Sequence, residues 1–138
     1  MAALTITEAN VIPGSNAKID YTTIAGATIA AGQVVYKDAA AAGKLKLANT
    51  ATSAATSTAA GIALVGATLN QPCPIITEGD VAIGTGTNAT VYVASDAAAG
   101  AVMPVSDTLG SGSYLSILGT VSANTLKLNI NNTGVQVD

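Results

Sequence analysis

The chain has 138 residues, of which only 9% are charged, and a formal net charge of −3 with no histidine. Arginine, phenylalanine and tryptophan are missing as well. Imidazole acid–base chemistry, bidentate phosphate clamping and broad aromatic stacking therefore have no carriers, which argues against an enzyme. It also argues against a nucleic-acid binder, because the only close pair of cations, Lys44 and Lys46, alternates with Leu45 as on the solvent face of a strand.

Residues 1–24 differ from the rest. Thr5-Ile6-Thr7-Glu8 and Val11-Ile12-Pro13-Gly14 are short, and dense patterning begins only later. The segment reads as an extended N-terminal arm on a β domain spanning residues 25–138. Its apolar residues Ile6, Val11 and Ile12 are the candidate contacts to another subunit or partner. Met1-Ala2-Ala3-Leu4-Thr5 has neither a basic start nor a sustained apolar stretch, so no secretory leader is expected and synthesis in a cytosol is.

Beyond the arm the periodicity is that of strands. Gln33-Val34-Val35-Tyr36 and Lys44-Leu45-Lys46-Leu47 are short β runs, followed by 60–65, 73–77, 80–83, 90–94 and 101–105. Residues 113–121, 125–130 and 135–137 close the series. Alternation is clearest in Thr125-Leu126-Lys127-Leu128-Asn129-Ile130, which puts Leu126, Leu128 and Ile130 on one face. Turn residues every 8–12 positions or so mark an all-β sandwich or barrel. The alanine runs at 39–42 and 97–99 are too short to sustain a helix, and the Thr/Ser-rich stretch 49–60 reads as a loop with at most one helical turn. Val35-Tyr36 through Asp38 to Gly43 is echoed by Val91-Tyr92-Val93 through Asp96 to Gly100, as if one strand–loop–strand unit were used twice.

Few positions could carry chemistry. Cys73 is the sole cysteine, lies between two prolines and has no basic neighbour, so it reads as an inert small apolar residue. Glu78-Gly79-Asp80 could begin a metal or acid–base pair, but a solvated turn between two strands is the expected role. Gly84-Thr85-Gly86-Thr87-Asn88 lacks the lysine and helix of a phosphate loop and reads as a hairpin turn. Asn88-Ala89-Thr90 and Asn131-Asn132-Thr133 match the glycosylation sequon and, with no secretory leader expected, read as chance matches. No catalytic residue, metal ligand or cofactor is expected. The longest apolar runs, such as 59–65, fall far short of the roughly 20 residues of a spanning helix. A soluble monomer carries about 25% charged residues, so 9% points to a homo-oligomer whose copies cover one another.

From Gly26 onward the chain resembles the decoration, or cement, proteins of tailed-phage capsids and related head-fibre bases. The resemblance rests on Ile29-Ala30-Ala31-Gly32-Gln33-Val34-Val35-Tyr36, Lys44-Leu45-Lys46-Leu47-Ala48 and Ala59-Ala60-Gly61-Ile62-Ala63-Leu64. It continues through Ile76-Thr77-Glu78-Gly79-Asp80-Val81, Val91-Tyr92-Val93 and Ala99-Gly100. It ends with residues 112–121 and Thr125-Leu126-Lys127-Leu128. The resemblance implies a small β-barrel or β-tulip domain that trimerises on the outer surface of an assembled capsid. There it would bind the major capsid protein and stabilise the shell, touching neither nucleic acid nor membrane. Ile6, Val11 and Ile12 would then be capsid or intersubunit contacts, and open strand edges would pair with a coat segment. A fibre module binding a surface carbohydrate or receptor is the alternative, weakened by four scattered tyrosines and no tryptophan.

Overall fold

Short runs of β-branched and small residues, interrupted every few positions by glycine or asparagine, can satisfy their backbone only by pairing with other strands. The computed structural model, which describes residues 4, 6–51, 53–86, 90–105 and 109–137, pairs them into one curled antiparallel sheet forming a half-barrel. Among the described residues 46% are strand and 8% helix, so the fold is all-β.

The strands are β1 (Ile12–Pro13), β2 (Lys18–Asp20), β3 (Val34–Asp38), β4 (Lys44–Leu47), β5 (Gly61–Ala63) and β6 (Ile75–Ala82). They continue with β7 (Val91–Ala94), β8 (Val102–Pro104), β9 (Tyr114–Ser122) and β10 (Thr125–Gln136). Among the described residues the one α-helical turn, α1 (Ala54–Ser57), sits in the Thr/Ser-rich loop, where Ser53 and Thr56 form a reciprocal capping box. Both members of the sequence echo are hairpins, β3–β4 and β7–β8.

Strand β6 organises the sheet, and its register shows how. Ile76 faces Ile62 of β5 and also Ile19 of β2; Glu78 faces Lys18 of β2 and Asn129 of β10; Val81 faces Pro13 of β1 and Leu126 of β10. A strand has two edges, so β5 and β10 share one of them and β2 and β1 share the other. The sheet therefore forks at β6 into β5–β3–β4 and β10–β9–β7–β8. At the fork the Asn132 side chain stands in for a strand, accepting from the Ala59 N–H (2.9 Å) and donating to the Ala59 carbonyl (3.1 Å).

Inside the curl lies a core of Val34, Ile62, Ile76, Val81, Leu118, Leu126 and Leu128, with Tyr92 its largest fully buried side chain. A second, smaller cluster of Ile29, Val35, Leu45, Cys73 and Ile75 lies under the β3–β4–β5 branch. Burying such aliphatic side chains contributes about 1.5–3 kcal/mol each.

Three expectations change. Residues 1–24, where described, are not a free arm. The Leu4 N–H donates to Val102 O on β8 (2.8 Å), β1 and β2 cover the second edge of β6, and Ile24–Gly26 cover β4 through Leu45 N→Ile24 O (2.8 Å) and Gly26 N→Leu45 O (2.7 Å). A single segment thus covers main chain on β4, β6 and β8. Its own outer edge is blunted by Pro13 and Lys18 and by its shortness. Second, Glu78-Gly79-Asp80 lies within β6 rather than in a turn, and the two runs expected at 73–77 and 80–83 are parts of one strand. Third, 125–130 and 135–137 merge into β10, which is kinked by register shifts against β9.

Candidate interaction surface

The three residues expected to make external contacts part company. Val11 is buried in the main core and Ile6, partly covered, packs against that core, so within one chain both contact the body. Ile12 stays 58% exposed on β1. Val11, in extended backbone just before β1, turns into the core, whereas both residues of β1, Ile12 and Pro13, are exposed.

A larger apolar surface lies at the end of the β3–β4–β5 branch. Residues 64–73 form a loop pinned from beneath at several points. Ile29 and Ala67 exchange N–H···O bonds (2.8 and 2.9 Å), the Asn70 N–H donates to Ala25 O (2.8 Å), and Thr23 exchanges bonds with Cys73 through its hydroxyl (2.5 Å) and its carbonyl (3.0 Å). Gln71 closes the turn on Thr68, its side-chain oxygen accepting from the Thr68 N–H (2.8 Å), and the Lys44 ammonium donates to Asn70 Oδ1 (2.6 Å). On this pinned loop Leu69 is 60% exposed and Val65 44%; Ile24, bridged to Pro72, is 41% exposed, and Tyr21, on the chain leading to it, is 71% exposed. A shallow cleft of about 310 Å3 opens beside Ile24, between Thr22–Thr23 and Lys37, Gly43 and Lys44.

None of these four residues stood out in the sequence as a contact. A signal was present at Leu69, an apolar residue between turn-forming Thr68 and Asn70 where a polar side chain is the norm. Tyr21 and Ile24 were hidden by the loose patterning of the first 24 residues.

The charges are largely neutralised within the chain. Lys18 meets Glu78 (2.9 Å), Lys46 meets Asp38 (2.8 Å), Lys37 meets Asp20 and Lys127 meets Asp80 (both 3.5 Å). The hydrogen bond and charge of Glu78 hold the Lys18 ammonium above its ordinary value, and Asp38 does the same for Lys46. Asp20 is held below the ordinary carboxyl value, chiefly by hydrogen bonds from Thr22, and Asp38 likewise by Lys46 and the Ala40 N–H. Glu78 and Asp80 are thus each paired with a lysine. Among the described residues no three Cys, Asp or Glu converge in a way that could hold a metal ion. Burial pushes the Cys73 thiol up, which keeps it protonated and unreactive.

On the opposite branch a groove of about 420 Å3 runs between Val91, Ile117, Thr120, Lys127, Asn129 and Asn131. Of the phosphate-loop-like stretch, Gly84 and Gly86 take positive φ in the connection from β6 to β7, strands that do not pair, so it is a crossover and not the expected hairpin turn; Thr87, Asn88 and the sequon's Ala89 lie outside the described residues. In the other sequon-like run, Asn132 bridges the fork and the Thr133 hydroxyl donates to Leu115 O (2.7 Å), so both serve the sheet. No helix among the described residues is long and apolar enough to cross a membrane.

What this geometry defines is an all-β protein with a set of exposed apolar side chains at one end of its sheet. No family model, curated protein or solved structure matches the chain.

Proposed function

We propose that the protein is a non-catalytic virion component that binds the outer surface of an assembled phage capsid as a trimer and stabilises it. The observation that carries this reading is the set of exposed apolar side chains Tyr21, Ile24, Val65 and Leu69 on a body four of whose five lysines are paired with its own carboxylates, the fifth, Lys44, donating to Asn70. Exposed apolar side chains on a fixed loop mark a protein contact. A surface whose charges are satisfied internally binds by shape and desolvation, with little dependence on salt.

Stabilisation follows from differential affinity. A protein that binds coat subunits only as they stand in the expanded lattice lowers the free energy of that lattice and of no other state. A trimer gains further because each contact made raises the effective concentration for the next. The test mixes the full-length protein with undecorated expanded capsids, procapsids and free coat protein across ~50–500 mM salt. Saturable binding to expanded capsids with raised heat resistance is the expected result. Equal binding to free coat protein would overturn it, and binding to a surface glycan alone would favour the fibre-module reading.

A further inference from the structure

The groove along the second edge of β6 is shaped for residues 4–20. A Cβ at Gly79 would lie 2.5 Å from the Asn16 carbonyl oxygen, one at Gly32 would lie 2.7 Å from Ile6 Cγ2, and one at Gly84 would lie 2.9 Å from Asn10 Cβ. Glycines in two separate stretches, Gly32 and Gly79 with Gly84, thus lack a side chain where the segment passes. The fit extends to polar contacts: Gly14 donates to Asp80 O (2.7 Å), Asp80 N–H donates to Asn16 Oδ1 (3.0 Å), and the Ala31 N–H reaches Glu8 Oε2 (3.3 Å).

The same segment is weakly anchored. Among its described residues Val11 alone is buried, while Leu4, Ile6, Ala17 and Ile19 are only partly covered. Elements with few buried apolar contacts open at a fraction of the global unfolding free energy. The segment joins the body through Tyr21 and Thr22, both exposed, next to a tight turn in which Asp20 Oδ1 accepts from the Thr22 N–H (2.8 Å) and hydroxyl (2.6 Å). Beyond this hinge Ile24–Gly26 hold to β4, so residues 4–20 can lift away without disturbing the platform.

We propose that residues 4–20 are an exchangeable strap, and that the β6 groove of one copy receives the strap of a second copy. The occupant is another copy of this chain because the groove matches this sequence at Ile6, Asn10 and Asn16–Ala17. Contacts made within a chain and between chains are then identical, which makes exchange a low-cost route to assembly. Head-to-tail exchange among three copies closes a ring and leaves no β6 edge unpaired. The proposal concerns how copies hold one another, and it stands whether or not they dock on a capsid.

Lys18 and Glu78 are register partners with side chains 2.9 Å apart and largely exposed (73% and 52%), so cysteine is tolerated at both. Full-length Lys18→Cys and Glu78→Cys chains carrying tags of different mass are co-expressed and treated with a short bifunctional thiol crosslinker; buried Cys73 does not compete. The Lys18→Cys/Glu78→Cys double variant is treated in parallel. Exchange gives mixed covalent dimers joining position 18 of one chain to position 78 of the other, and covalent multimers in the double variant. Intrachain links alone in the double variant, with no mixed dimers, would overturn the proposal. So would the absence of any 18–78 link in either sample, which would show that the strap does not occupy the groove.

Discussion

Gly79→Ala is the sharpest probe of how the N-terminal segment is held. Gly79 sits in β6 at φ +101°, and an added Cβ would meet the Asn16 carbonyl oxygen at 2.5 Å and Ala17 Cα at 2.8 Å. Both neighbours are backbone, so relief requires the strap to move. The strained conformation costs about 1–3 kcal/mol for a residue with a side chain. Displacing the strap loosens the bonds of Gly14 and Asn16 to Asp80, at about 1 kcal/mol each. The sum is about 3–5 kcal/mol, or roughly 12–20 °C in Tm at about 4 °C per kcal/mol for a domain of this size. Gly43→Ala is the matched control, since Gly43 has φ +80° but nothing within 4 Å of its would-be Cβ. It should cost about 1–2 kcal/mol of strain alone. Calorimetry of both variants, with hydrogen exchange at the Gly14 and Ala17 amides, separates strain from displacement. Equal Tm losses with unchanged exchange at those amides would refute the seated strap.

Asn132→Ala removes both bonds to Ala59 and should lower stability by about 1–2 kcal/mol, measured by urea unfolding, because the fork between β5 and β10 loses its bridge. Leu69→Lys replaces an exposed turn residue, so stability should stay within about 0.5 kcal/mol. The same change should sharply weaken attachment to expanded capsids, read by co-sedimentation. Stability against pH should form a broad plateau through neutrality, since no histidine titrates there. Asp20 and Asp38 are depressed in the fold, so their contribution is present above the ordinary carboxyl value of 3.8 and lost as pH falls below it. Cys73, Lys18 and Lys46 are raised, so their contributions are present below 9.0 for the thiol and 10.5 for the lysines and are lost as pH rises beyond those values. A Tm that changed steeply between about pH 5 and 8 would contradict this assignment.

Local chemistry wrote much of this structure into the chain. β3, β4, β7 and β9 fall where alternation and turn residues place them, because strand character and hairpin turns are decided by neighbours in sequence. Leu126 and Leu128 face the core as the period-2 pattern of β10 requires, and the Thr/Ser-rich loop holds a single capped helical turn. Composition alone left few side chains with which to build a reaction centre. Tertiary pairing decided the rest. Main-chain bonds from Leu4, Gly14 and Ile24–Gly26 to three separate strands leave no imprint on side-chain pattern, so a segment that covers edges reads like a loose arm. Gly79 reads as a turn, yet it lies mid-strand because another stretch of backbone crosses it, and only the crossing partner reveals why a side chain is excluded. The exposure of Tyr21 and Leu69 is likewise a property of the fold around them, since burial is set by what the fold brings near and not by the residue itself.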